Sequence, residues 1–92
     1  MAGLMEGKRL FPFMYKGTVY TAGLDGKREA GMYYLNEGGK SVNGWTAYGT
    51  IIVFTAFEGQ LGFCTQIFIH AEGLICFRTS TNQSTWNPWK II

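Results

Sequence analysis

The sequence has few charged residues and no long apolar run. Asp, Glu, Lys and Arg make up 15% of its 92 residues, against about 25% in a typical soluble domain. The basic residues are scattered, with Lys8-Arg9 and Lys27-Arg28 as the only adjacent pairs, which argues against a nucleic-acid-binding surface. No stretch approaches the roughly 20 apolar residues of a membrane helix, and Met1 to Met14 lacks the apolar core of a signal peptide. We therefore expect no membrane insertion and no signal-directed export.

Groups that carry chemistry are also scarce. The single histidine, His70, falls at an expected turn, where such a residue is usually a solvated polar group. The six acidic residues fall in expected loops or turns, and no spacing selects two of them as a catalytic pair. One histidine and two cysteines do not form a metal-ligand pattern. The sequence predicts no enzyme, no metal and no cofactor.

The two cysteines, Cys64 and Cys76, fall on strands that we expect to pair as a hairpin. A four-residue loop at His70 to Gly73 would place them on opposite faces of the sheet. A three-residue loop would place them on one face but four positions apart, which is about 13 Å at the rise of a strand. A disulfide needs Cα atoms within about 7 Å. Both registers predict free, buried thiols.

Apolar residues are abundant for so short a chain. Hydrophobic residues make up 47% of the sequence and aromatic residues 16%. A chain of this length buries only about 60–65% of its unfolded surface, so part of this apolar surface has no place inside a monomer. Burial against a partner or in a homo-oligomer is the expected outlet.

The pattern of the chain predicts one mainly-β domain. Short runs of aromatic and β-branched residues alternate with turns and predict a small antiparallel sheet of about six to seven short strands. Glu37 to Trp45 is predicted as the longest loop. Pro88 cannot donate to a ladder, so the C-terminal segment is predicted to be an edge strand or an extended strap. The predicted strands after residue 23 are Met32–Asn36, Ala47–Phe57, Leu61–Ile69 and Leu74–Thr79.

Residues 1–22 are predicted to form an N-terminal hairpin that is separate from the domain at 23–92. Lys16-Gly17 is taken as its two-residue turn because glycine tolerates the positive φ that such turns need. An isolated hairpin is marginal in water, so this one is expected to pack on the body or on another chain. The candidate attachment or oligomer contacts are Leu10, Phe11, Phe13, Tyr15, Val19 and Tyr20.

The C-terminal segment carries the strongest candidate site. Ser80 to Ser84 is a polar loop, and Trp86 and Trp89 follow it. Aromatic rings beside amide and hydroxyl groups suit the binding of sugar rings. The alternative is that both indoles cover the end of the sheet, with Arg78 stacked on Trp86 or paired with Glu72. The candidate ligand-binding residues are Trp45, Tyr48, Arg78, Asn82, Trp86 and Trp89.

The same segment has a recognisable order of residues: Phe77, Arg78, Thr79, Ser80, Trp86, Trp89 and Lys90. In this order it resembles the end of the pyocin-knob type of domain found in bacteriophage tail fibres and in the fibres of phage-tail-like bacteriocins. Gly31-Met32-Tyr33-Tyr34 and Thr65-Gln66-Ile67-Phe68 are similar to two upstream strands of that family. The resemblance covers about residues 24–92.

The resemblance implies a virion component that is assembled in the bacterial cytoplasm. Its expected partners are sister chains around a three-fold axis, other virion proteins and a host cell-surface glycan. At 92 residues the chain lacks a fibre shaft, so a short tail or head fibre, an appendage or a decoration protein is expected. The alternatives are a glycan-binding module and a phage factor that binds a host protein through a sheet edge.

Overall fold

The computed structural model describes residues 15–58, 61–82 and 84–92. Leu10, Phe11, Phe13 and the first arm of the predicted N-terminal hairpin lie outside these ranges. Within them the chain forms a single six-stranded sheet whose strand order follows the sequence, so the mainly-β prediction is confirmed. No described helix has the length and apolar character needed to cross a membrane. The elements are β1 (Tyr15–Val19), a 3₁₀ helix (Thr21–Gly26), β2 (Gly31–Val42), β3 (Trp45–Glu58), β4 (Leu61–His70), β5 (Ile75–Ser80) and β6 (Lys90–Ile91).

The N-terminal strand differs from the prediction. Lys16 and Gly17 lie inside β1 rather than at a turn, where the register with β2 is irregular. β1 pairs with β2 in parallel, whereas all other pairs are antiparallel. A parallel pair needs a crossover, which residues 20–30 supply through the 3₁₀ helix. Val19 is 1% exposed, so this predicted oligomer contact belongs to the chain's own core.

The prediction of a loop from Glu37 to Trp45 is wrong, because β2 continues to Val42. A tight turn at Asn43-Gly44 leads into β3, and both residues have positive φ (54° and 81°). Asn-Gly is the strongest sequence signal for such a turn. Glycine is uncommon inside strands, so Gly38 and Gly39 led to the prediction of a loop where β2 continues. The register shifts between Glu37 and Ser41, which marks a bulge in β2.

Among the side chains of β2 to β5 that the structure describes, every buried one lies on one side of the sheet. Tyr33, Ile51, Phe68 and Cys76 face one another across the four strands, and all four are buried. This side is hereafter the covered face. Leu24 of the 3₁₀ helix belongs to its core, and Trp45, Trp86 and Trp89 pack against it. The core is therefore a layer between the sheet and three short pieces of chain.

The two cysteines share the covered face. Ile69 pairs with Ile75, Phe68 with Cys76, and Cys64 with Ser80. These pairs place Cys64 and Cys76 on the same face and four positions apart, as expected for a three-residue loop. Both thiols are free and buried, as predicted. Burial raises the pKa of Cys64 and of Cys76, so both thiols stay protonated and behave as small apolar groups.

Candidate binding surfaces

Arg78 is the centre of a cluster on the covered face. Its guanidinium carbon lies 4.4 Å from the ring centre of Trp86 and 4.7 Å from that of Trp89. Its Nη2 lies 2.9 Å from Asp25 Oδ1, and its Nε donates a 2.9 Å hydrogen bond to Gln66 Oε1. Burial lowers the pKa of Arg78, while the bond to Asp25 raises it. Arginine remains protonated in such sites, so the cluster holds a desolvated cation between two indoles and a carboxylate.

Gln66 links this cluster to the crossover segment. The residue is fully buried, and its Nε2 donates to the carbonyl oxygens of Leu24 at 2.7 Å and Lys27 at 2.9 Å. With Oε1 accepting from Arg78, both ends of the amide have partners. A buried amide is tolerated when its polar atoms are satisfied. Gln66 therefore attaches the 3₁₀ helix to the centre of the sheet.

A second arginine completes the cluster from the crossover side. The guanidinium carbon of Arg28 lies 4.5 Å from the ring centre of Trp86, and its Nη1 donates to Ser80 Oγ and to Asn82 O, both at 3.0 Å. Trp86 Nε1 donates to Asp25 O at 3.0 Å. Two cations and one carbonyl thus engage Trp86 from within the chain, so its indole acts as a structural element.

The loop after β5 is shaped by Asn82. Its Oδ1 accepts hydrogen bonds from the backbone amides of Ser84 and Thr85, each at 2.8 Å. Side-chain bonds of this kind are typical of tight polar turns. The amide of Asn82 is therefore used in holding the loop.

The predicted ligand-binding residues do not form one site. Arg78, Trp86 and Trp89 come together, with Asn82 in the adjoining loop. Trp45 packs elsewhere on the covered face, with its ring centre 6.2 Å from that of Phe68 and 6.3 Å from that of His70. Tyr48 lies on the opposite side of the sheet, because it alternates with the buried Ala47.

Two expectations about individual side chains need correction. Arg78 stacks on Trp86, as one alternative held, but its ionic partner is Asp25 and not Glu72. His70 is 6% exposed rather than solvated, and its Nδ1 accepts from the amide of Glu72 at 3.1 Å. The imidazole belongs to the packing around Trp45.

Sequence reasoning missed Gln66, Asp25 and Arg28. A signal existed for Gln66, because it is the only amide in the largely apolar run from Leu61 to Ile69. A buried polar residue is more informative than an exposed apolar one. No comparable signal marks Asp25 or Arg28, since both come from an irregular polar segment whose position depends on the crossover.

The side of the sheet away from the core is hereafter the open face. Its central part consists of alternate residues in Met32 to Asn36, Tyr48 to Ala56, Phe63 to Ile69 and Ile75 to Thr79, and Lys90 of β6 lies beside it opposite Phe77. All residues of the central part are apolar except Asn36 and three threonines, and none is charged or buried. A sheet face with so apolar a central part is typical of an interaction surface.

One end of the open face carries a shallow depression of about 410 Å³. Tyr34 and Tyr48 line it and are about half exposed. Thr50 and His70 contribute to its wall, and Asn36 Nδ2 donates to the Tyr34 hydroxyl at 2.9 Å. Aromatic rings beside hydroxyl and amide groups suit sugar binding.

Among the residues that the structure describes, no group of three or more His, Cys, Asp or Glu side chains is arranged to hold a metal ion. Comparison of the chain with protein-family models, with curated proteins and with solved structures gave no match.

Proposed function

We propose that the chain is a non-enzymatic structural component of a bacteriophage-type particle: a short fibre, appendage or decoration protein whose knob-like domain spans residues 23–92. One observation carries this proposal. Three of the C-terminal residues that carry the resemblance to the pyocin-knob domain come together in the structure, because Arg78 contacts both Trp86 and Trp89.

The residues that carry the resemblance hold β5, the loop after it and the C-terminus together. Phe77 pairs with Lys90 across β5 and β6, and the amide of Asn87 donates to Thr79 O at 2.9 Å. Ser80 accepts from Arg28, and Arg78 contacts both tryptophans. The spacing between Arg78 and the two tryptophans thus serves to fasten the C-terminus to the sheet. This supports a shared fold as the source of the resemblance.

In this role the chain assembles with sister chains and with other virion proteins. The resemblance implies three chains around one axis. The low charge and the open apolar face suit a protein that functions inside an assembly.

The direct test is to locate the chain. Antibodies raised against the purified chain are used to probe density-purified particles from the strain that encodes it, by immunogold electron microscopy. We expect gold at one fixed position on the particle, and none on particles from a strain that lacks the gene. Finding the chain only in the particle-free fraction of the lysate would refute the proposal.

Glycan binding is the second candidate, and the depression at Tyr34 and Tyr48 favours it. The structure gives the C-terminal tryptophans a different role. Trp86→Ala is expected to lower the free energy of unfolding by about 2–4 kcal/mol, because two cation–π contacts and one hydrogen bond are lost. The midpoint of thermal unfolding, followed by circular dichroism, would fall by roughly 10–25 °C.

Tyr48→Ala is the companion variant on the open face. We expect its melting temperature to stay near that of the wild type, since the ring is half exposed. On an array of bacterial surface glycans, loss of binding in Tyr48→Ala with an unchanged melting temperature supports the glycan candidate. If Trp86→Ala melts like the wild type, the structural role of the cluster is wrong.

A further inference from the structure

The short loop at residues 27–29, which follows the 3₁₀ helix, is fixed to the sheet through its backbone. Its three carbonyl oxygens accept, in chain order, from Gln66 Nε2 at 2.9 Å, from Thr55 Oγ1, and from the Tyr33 hydroxyl at 3.0 Å. These donors belong to three different strands, β4, β3 and β2. Because three strands hold the loop, the side chains that it carries start from fixed positions, as a preformed binding site requires.

A cavity of about 310 Å³ lies beside this loop. Its volume is at the lower end of the range of small-molecule sites. The residues that line it are Lys16, Gly26, Lys27, Arg28, Glu29 and Tyr33. Three of them are cations and one is a carboxylate, so the cavity has an excess of two positive charges.

Lys27 is the cation of this cavity that has no ion-pair partner among the residues that the structure describes. Its Nζ lies 5.6 Å from the centre of the Tyr33 ring. The other two cations are engaged, because Lys16 Nζ binds Glu29 Oε1 and the Arg28 guanidinium stacks on Trp86. The Lys27 ammonium group is therefore the one that can take an anion from outside the chain.

The Glu29 carboxylate shows how the cavity acts on an anion. Its side chain is 75% exposed, yet the hydrogen bond from Lys16 lowers the pKa of Glu29, and the charge of Lys27 lowers it as well. The charged form of a surface carboxylate is thus stabilised at this place. An external anion would experience the same field, with Glu29 as its competitor.

We propose that this cavity binds a small anionic group, a carboxylate or a phosphate, with Lys27 as its principal contact. Lysine donates charge-assisted hydrogen bonds to both groups. Sugar acids and phosphate esters are the two sources of such a group. The inference is independent of the particle proposal, because it rests on the charge and the volume of the cavity. It is also separate from the depression at Tyr34 and Tyr48, which shares none of these residues.

The test is a titration of the ¹⁵N-labelled full chain, followed by the NMR shifts of its backbone amides. The probes are inorganic phosphate, D-glucuronate and neutral D-glucose, at constant ionic strength because salt alone screens exposed charges. We expect saturable shifts at residues 26–29 with a dissociation constant on the order of 1 mM, and none with glucose. Tighter binding of glucuronate supports a sugar acid as the ligand, and tighter binding of phosphate supports a phosphate ester.

Lys27→Gln is expected to raise the dissociation constant by at least about 5-fold, because a charge-assisted contact is lost. Lys27→Arg keeps the charge and should keep the binding. Lys40→Gln is the matched control, since Lys40 is an exposed residue of β2 outside the cavity. It removes the same charge and should change the dissociation constant by less than about 2-fold.

Glu29→Gln is expected to have the opposite effect. It removes the internal competitor and should lower the dissociation constant by about 2–5-fold. Glu72→Gln is its matched control, because Glu72 is exposed in the turn after β4 and does not line the cavity. That variant should bind like the wild type.

Three results would overturn the proposal. The first is the absence of saturable shifts at residues 26–29 with either anion up to about 50 mM, well above the expected dissociation constant. The second is an equal loss of binding in Lys27→Gln and Lys40→Gln, which would indicate only the net charge of the chain. The third is weaker binding in Glu29→Gln. Unchanged amide shifts outside the loop verify that each variant is folded.

Discussion

Gly49→Ala is expected to lower the free energy of unfolding by about 3 kcal/mol or more. Gly49 lies in β3 opposite His70 of β4. A Cβ at this position would lie deep inside van der Waals contact with the carbonyl oxygen of Ile69 and 3.0 Å from His70 Cα. Both obstacles are backbone atoms, so no side chain can rotate away. The two strands must separate locally, which removes ladder hydrogen bonds where β4 ends.

The measurement is urea unfolding followed by tryptophan fluorescence. Gly38→Ala is the matched control, because Gly38 lies within β2 and a Cβ there meets nothing within 4 Å. We expect that variant to be neutral or slightly stabilising. Equal midpoints for the two variants would mean that β3 and β4 do not approach as described.

Gln66→Leu is expected to destabilise the fold by about 3 kcal/mol, although it makes the centre of the sheet more apolar. Leucine has a similar size but cannot donate to the carbonyl oxygens of Leu24 and Lys27, and it leaves Arg78 Nε without an acceptor. Each buried polar group that loses its partner costs about 1–3 kcal/mol, and more when the group is charged. The crossover segment should detach from the sheet as a consequence.

Asn36→Leu is the control for this substitution. Asn36 is exposed and donates to the Tyr34 hydroxyl, so its replacement should change the stability by no more than about 0.5 kcal/mol. Hydrogen exchange gives the more specific measurement. In Gln66→Leu the amide of Lys27, which donates to Leu24 O, should lose protection before the amides of β3 and β4. If Gln66→Leu is as stable as the wild type, the buried network contributes little.

Local patterns predicted the parts of the fold that depend on neighbouring residues. The alternation around Ile51, Ile67 and Phe77 predicted the three adjacent strands. Pro88 predicted that the last strand lies at an edge, as it does. These features follow from side-chain periodicity and turn chemistry, which act within about ten residues.

The remaining features depend on contacts between distant residues. Lys16-Gly17 has the composition of a turn, but the packing of Val19 into the core places it within a strand beside β2. The partners of Arg78 come from the crossover segment, whose course no local pattern determines. Trp86 and Trp89 were expected either to bind a ligand or to cover the sheet, and for Trp86 the contacts with Arg28 and Asp25 favour the second role.

The attachment of the crossover segment has a consequence for the order of events during synthesis. Leu24 is held by Gln66, 42 residues later in the chain, and Asp25 by Trp86, 61 residues later. At translation rates of about 5–20 residues per second, Trp86 is synthesised roughly 3–12 s after Asp25. The hairpins of the sheet can pair meanwhile, because their strands are adjacent in sequence. A nascent chain that stops short of Trp86 can therefore hold the Leu24 carbonyl through Gln66, while the Asp25 carbonyl still lacks its indole partner.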